Sequence, residues 1–149
     1  MIEIIIKKAT IENLNEIQEL NNQLFELEYN NFDSSLKVGT EYFSNMLNNQ
    51  VVFIALVDNS IVGYLAGSIN VESSYVTKSL AELDNMFILE DYRKYGIGTK
   101  LVTEFKKYCL NKGIQEIKVT ASARNNNAIN FYKKNSFEDF EVTLKMKLN

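Results

Sequence analysis

The sequence predicts an α/β (α+β) domain: a mixed, mostly antiparallel central sheet of six to seven strands flanked by about four helices. Three observations predict it. Extended-type runs, either alternating apolar with polar or continuously β-branched and aromatic, recur at residues 2 to 6, 51 to 57, 61 to 71, 79 to 89, 115 to 121 and 142 to 148. Residues 14 to 27 and 97 to 109 instead carry apolar side chains at the three-and-four spacing of a helix face. Finally, 149 residues that are 46% hydrophobic and 23% charged suit one globular domain, 1–149, with a real core and no low-complexity tract.

Taken in order, Ile2, Ile4 and Ile6 form the apolar face of a first strand. Thr10 is placed to cap a helix with Glu12 in its first turn and Leu14, Ile17, Leu20, Leu24 and Leu27 on its buried face. Residues 29 to 38 have no period and read as a loop, whose Tyr29, Phe32 and Asp33 either line an entrance or simply connect to a short helix at 40 to 48. Residues 51 to 57 and 61 to 71 flank Asp58-Asn59-Ser60, so they read as a hairpin of two well-buried strands. A loop around residues 72 to 77 leads to a fourth strand at 79 to 89. After the helix at 97 to 109, Gly113 is a stop signal and residues 115 to 121 alternate as a fifth strand. A short helix follows Asn125, and residues 137 to 148 read as one or two antiparallel strands closing the sheet. The order is β-α-α-β-β-β-α-β-α-β.

Composition removes several chemistries. The chain has no histidine, which excludes Ser-His-Asp and Cys-His machinery and histidine metal ligation, so any acid or base is Asp, Glu, Tyr, Lys or Cys. No metal site is expected. Cys109 is the single cysteine, so no internal disulfide forms, and its place on the apolar stripe makes it a small buried hydrophobe rather than a nucleophile. A net charge of −3 argues against nucleic acid as the main partner and mildly favours an amine-bearing one. No apolar run reaches membrane length, and the N-terminal run is too short and alternating for a signal peptide; no membrane partner is expected and cytoplasm is the default location.

Two stretches carry chemistry. In Arg93-Lys94-Tyr95-Gly96-Ile97-Gly98, glycines one residue apart stand between a strand and an amphipathic helix. Such a turn lets consecutive N–H groups converge on one anion, and the helix N-terminus favours the same phosphate; Arg93, Lys94 and Lys100 add charge. A Walker loop and a dinucleotide fingerprint are both excluded, because no Lys-Ser/Thr follows at the right spacing and Leu101 stands where a third glycine is needed. Taken bare, the turn also reads as an ordinary strand-to-helix connection. The second stretch is the strand before it. There, simple alternation puts Glu82, Asp84, Met86 and Ile88 on one face and Leu83, Asn85 and Phe87 on the other. Its two carboxylates, roughly 6–7 Å apart, are close enough in low dielectric to raise the pKa of one and make it a general base.

With these residues in view, the chain resembles the GCN5-related N-acetyltransferase (GNAT) family over nearly its whole length. The stretch from Met86 to Gly98 is similar to the family's strand and pyrophosphate loop, and the stretch from Asn125 to Phe137 to its Asn-x-x-Ala-x-x-Phe-Tyr-x-x-x-Gly-Phe segment. The resemblance implies the acyl-CoA N-acyltransferase fold, acetyl-CoA as co-substrate, and transfer of acetyl to a primary amine of a small molecule or a protein. By carry-over, backbone at Phe87 and Ile88 pairs with the pantetheine arm. The amides of Arg93, Lys94, Tyr95, Gly96, Ile97 and Gly98, with Thr99, hold the pyrophosphate. Asn125 contacts the cofactor arm, and Tyr132 lies near the thioester sulfur as general acid. Glu82 or Asp84, directly or through water, is the base. Glu90 and Ser136 stand where the family usually has proline and glycine, and Thr120 where some members carry a glutamate base. The acceptor pocket is expected from the loop after the first helix and from residues 72 to 79. Homodimers are common among similar proteins. A non-catalytic acyl-CoA sensor is the alternative, since it would keep the turn without an acid or base.

Overall fold

In a computed structural model, residues 2–32, 41–69 and 79–149 are described. Strand β1 (Ile5–Lys8) leads through a single 3-10 turn into α1 (Leu14–Asn31), followed by α2 (Tyr42–Asn49). The hairpin β2 (Val51–Val57) and β3 (Ser60–Ser68) precedes β4 (Leu80–Ile88), α3 (Ile97–Asn111), β5 (Glu116–Val119) and α4 (Asn126–Lys134). The strands lie side by side in sequence order, antiparallel from β1 to β4, with β5 parallel to β4.

Local chemistry accounts for most of these elements. Asp58 and Asn59 both sit at positive φ, 49° and 64°, the conformation that a two-residue hairpin loop requires. Thr10 N–H donates to Asn13 Oδ1 and Asn13 N–H to Thr10 O, which closes the turn at the start of the first helical segment. Gly113, at φ 74°, ends α3. Strands β2 and β3 read as continuous apolar runs because both faces of the sheet are covered. On one face α3 packs Leu101, Phe105 and Cys109 against Phe53, Leu65 and Leu83; on the other α1 and α2 pack Ile17, Leu20 and Phe43 against Ile54, Tyr64 and Phe87. Cys109 is buried, as its stripe position predicts, and burial pushes its thiol up to about 11.

Two expectations are corrected. Simple alternation fails along β4, because Ala66 pairs with Asn85 and Gly67 with Leu83, leaving Asp84 as an extra residue in the ladder. The bulge exchanges the faces: Leu83, Met86 and Ile88 belong with the α3 side, and Phe87 with the α1 side. Second, the sheet has five strands among the described residues rather than six or seven. Residues 138–149 pair with nothing in the sheet and are exposed throughout. Asp33 and residues 70–78, expected to border an acceptor pocket, lie outside the described residues; Tyr29 is exposed and Phe32 half-buried.

Candidate active site

β4 and β5 pair only from Leu80–Glu116 to Leu83–Val119, after which β5 ends while β4 continues to Ile88. The β5-side edge of β4 beyond Leu83 therefore faces a gap rather than a strand. At its far end stand the turn and the start of α3. Lys94 and Gly96 both take positive φ, 75° and 78°, so the chain coils tightly before α3 begins. Gly96 is the N-cap and offers no capping side chain, and the first helical bond runs from Lys100 N–H to Gly96 O. The amides of Lys94, Tyr95 and Gly96 donate to no acceptor among the described residues. With the first-turn amides of Ile97, Gly98 and Thr99, they form a nest of N–H groups at the positive end of a helix, the arrangement that suits a phosphate.

Other members of the predicted site take roles that the sequence did not separate. Gly98 is not at positive φ; a Cβ there would stand 2.9 Å from Phe131 Cζ and 3.3 Å from Ile88 Cδ1, so this glycine exists to let the α4 ring seat on α3. Gly96 has nothing within 4 Å of such a Cβ, so its requirement is conformational. The Arg93 side chain turns back, Nε donating to Ile88 O at 2.9 Å with the guanidinium 5.5 Å from the centre of the Phe87 ring. It staples the turn to β4, occupying the carbonyl of one residue expected to pair with a cofactor arm. Asn125 caps α4 by accepting from Ala128 N–H at 3.1 Å.

Phe131 lies against Gly98, and the next residue of α4, Tyr132, packs partly buried against the α3-side core. The Tyr132 ring packs edge-on against Phe131 and Phe137, with centroids 5.3 and 5.5 Å away. Its hydroxyl has no partner among the described residues and is not sealed from solvent. Burial pushes the phenol up to about 12, and the charge of Glu28 on α1 adds to the shift.

Across β4, Asp84 is exposed and its Oδ2 accepts from Ser68 Oγ at 2.6 Å and from Tyr42 hydroxyl at 3.2 Å. Burial and the charges of Asp84 and Glu82 hold the Tyr42 phenol protonated, its pKa pushed well above the ordinary value, so both carboxylates lie on the α2 side. Neither is dry, since Glu82 is half-buried and Asp84 reaches water.

Sequence reasoning missed Glu28. Burial raises its pKa, and its charge reaches Tyr132 and Tyr64. Its neighbours in sequence are the last turns of an ordinary amphipathic helix, so no local signal marked it. The helix is anchored by a polar cluster equally invisible to periodicity: Asn21, 1% exposed, has its Oδ1 2.8 Å from Asn85 Nδ2 and 3.1 Å from the Tyr64 hydroxyl, which is also 3.0 Å from Asn85 Oδ1. Between α1 and the turn, Gln23, Leu27, Phe87, Glu90 and Arg93 border a concavity of about 360 Å³. A larger one, about 510 Å³, runs along α2 and shares only Tyr42 with the groups above.

Comparison with known proteins gives the family and the fold. The chain is 32% identical over 90 residues to an uncharacterised N-acetyltransferase of Methanocaldococcus jannaschii, covering 60% of this chain and 40% of that protein. It spans less than two thirds of the length of this and other curated relatives it matches. An aminoglycoside acetyltransferase from an uncultured soil metagenomic sample, solved with sisomicin, superposes with a TM-score of 0.74 at 26% identity, covering 98% and 97% of the two chains. The aminoglycoside N-acetyltransferase AAC(6')-Iy, solved with CoA, gives a TM-score of 0.82 over 99% and 96% of the chains, and at 19% identity shows likeness of fold alone. The family pattern described as Acetyltransferase (GNAT) family matches residues 14–137, and this chain belongs to that family.

Proposed function

We propose that the protein transfers acetyl from acetyl-CoA to a primary amine. The observation that supports this reading is the nest of unpaired amides at residues 94–96 at the uncapped start of α3, with α4, which carries Tyr132, seated on that helix through Phe131 and Gly98. The diphosphate of the co-substrate would rest on the amides from Lys94 to Thr99; the Arg93 amide, expected to share in this, instead donates to Glu90 O at 3.2 Å. Its arm would follow the β5-side edge of β4 near Phe87 and Ile88, the Ile88 carbonyl being taken by Arg93 until that side chain swings away, with the Asn125 side-chain amide alongside. The acceptor would be an amine-bearing small molecule or a protein amine, entering from the α1 and α2 side.

The reaction joins the amine nitrogen to the acetyl carbon, breaks the carbon–sulfur bond and releases a proton from nitrogen. An alkyl amine resembles lysine, with a pKa of about 10, so it must lose a proton before it can attack. Asp84 or Glu82 would take that proton through water. Tyr132 would donate to the sulfur as it leaves. A phenol at about 12 facing a thiol of ordinary pKa, about 8.5, makes complete proton transfer uphill by roughly 5 kcal/mol, so Tyr132 acts by hydrogen-bonding the developing thiolate while solvent completes protonation.

The test is thiol release from acetyl-CoA across a panel of amines, polyamines and amino sugars, repeated with Tyr132→Phe. The expected result is a loss of roughly 10²-fold in kcat with unchanged co-substrate affinity. Turnover equal to wild type would remove Tyr132 from the mechanism. Co-substrate binding without turnover of any amine would favour the sensor.

A further inference from the structure

Leu14, Ile17, Asn21, Leu24 and Glu28 follow one another at alternating three- and four-residue steps, the spacing of a single face of α1. That face lies on the sheet: Ile17 is fully buried, Leu14 and Leu24 pack against the same core, and Asn21 reaches Asn85 and the Tyr64 hydroxyl. Glu28 takes the next place on the stripe and is half-buried. It stands about 10 Å beyond Asn21 along the helix, roughly three strand residues past Asn85 and so level with Ile88. The direction is given by Leu27, which borders the same concavity as Phe87, Glu90 and Arg93. The Glu28 carboxylate has no hydrogen-bond or ion-pair partner among the described residues. From Ala9 to Tyr92 the described residues include no lysine or arginine, and Arg93 is turned onto the Ile88 carbonyl and the Phe87 ring. A half-buried carboxylate without a cation is costly to the fold, and an incoming cation would satisfy it.

The charge of Glu28 acts on Tyr132, although α1 lies on one face of the sheet and Tyr132 packs with the α3-side core on the other. The two can approach where no strand stands between them, and beyond Leu83 β4 has no neighbour on its β5 side. We infer that Glu28, from the α1 side of that gap, receives the ammonium group of the acceptor and takes its proton. The inference rests on the acetyl transfer proposed above and moves the base from the α2 side to α1. An N–H bond of the ammonium breaks to leave a carboxyl O–H on Glu28, the freed electron pair forms the bond to the acetyl carbon, and the carbon–sulfur pair departs on sulfur. Asp84 is the poorer base, because it is exposed and two donors, Ser68 Oγ and the Tyr42 hydroxyl, already hold its charge. Burial works the other way at Glu28 and favours the neutral carboxyl. The acceptors selected are alkylamines, which arrive charged; an aromatic amine, uncharged at neutral pH, brings the carboxylate no cation.

The test compares turnover of the amine panel by wild type, Glu28→Gln and Glu16→Gln, with co-substrate affinity measured by calorimetry. Glu28→Gln keeps the size of the side chain and should lower kcat/KM for alkylamines by roughly 10²-fold at unchanged co-substrate affinity. Glu16→Gln, exposed in the first turn of α1, should match wild type. Full activity of Glu28→Gln, or a loss confined to Asp84→Asn or Glu82→Gln, would overturn the inference and leave acetyl transfer standing. A second arm needs no turnover: spermidine titrated into the CoA-saturated chain should bind roughly tenfold more weakly after Glu28→Gln and no differently after Glu16→Gln. No spermidine binding, or binding indifferent to Glu28→Gln, would overturn the inference. Binding that depends on Glu28 in a chain that acetylates no amine would uphold the amine subsite and sink the transferase reading.

Discussion

The seating of Phe131 on Gly98 can be tested by adding one methyl group. In Gly98→Ala the new Cβ would lie 2.9 Å from Phe131 Cζ, closer than real Cβ contacts come, and at a tight 3.0 Å from Cε1 and 3.3 Å from Ile88 Cδ1. Overpacking of this kind costs about 1–3 kcal/mol. Gly98 already has helical backbone, so alanine adds no dihedral strain and gains up to about 1 kcal/mol of helix preference. The net destabilisation is about 0–2 kcal/mol, a fall of a few degrees in Tm for a chain of this size. Turnover should fall further than stability, because the displaced helix carries Tyr132 and a misplacement of about 1 Å can cost roughly 10²-fold. The decisive measurement is a double-mutant cycle with Phe131→Leu, read by denaturant unfolding. The smaller side chain relieves the clash, so the two costs should fall short of additivity by at least about 0.5 kcal/mol. Additive costs, or a Gly98→Ala chain with wild-type Tm and turnover, would refute the contact. Gly96→Ala is the control: it meets no neighbour, so its cost of about 1–2 kcal/mol comes from φ 78° alone and should be independent of Phe131.

The interior and the titratable groups give further expectations. Asn21→Leu should lower stability by about 1–3 kcal/mol in urea unfolding, because it strips an acceptor from the Tyr64 hydroxyl and the Asn85 amide in the interior. Glu28 has a folded pKa raised above 4.5 by burial, so its stabilising contribution is present below that value and is lost as pH rises through the raised one. Glu28→Gln should therefore raise Tm at pH 8 and leave it nearly unchanged at pH 4, and an equal shift at both would contradict that sign. Cys109, with its thiol at about 11, should not react with a disulfide reagent at neutral pH until the chain unfolds, when one thiol per chain should appear; rapid labelling of the native protein would contradict its burial.

Some of the candidate site's backbone geometry could be read from the chain because its logic is local. A Gly-x-Gly between an apolar strand and an amphipathic run marks a tight turn into a helix, and Asn125 three residues before Ala128 marks a cap. Partner choice is not local. Arg93 reads as a free cation beside an anion turn until the Ile88 carbonyl and the Phe87 ring are found within its reach. The two glycines look equivalent until one proves to need positive φ and the other an absent side chain.

By itself the sequence determined the order of helices and strands up to α4, the glycine turn before α3 and the exclusion of histidine chemistry, since period, turn residues and composition act within a few residues. Only the tertiary structure decided the faces of β4, because the bulge at Asp84 arises from pairing with β3 and leaves no mark in the alternation. It likewise brought Glu28 under the influence of burial, within range for its charge to act on Tyr132, and it left residues 138–149 outside the sheet although their pattern is that of a strand. Periodicity states which face of a segment is apolar; what covers that face depends on the arrangement of every other element in space.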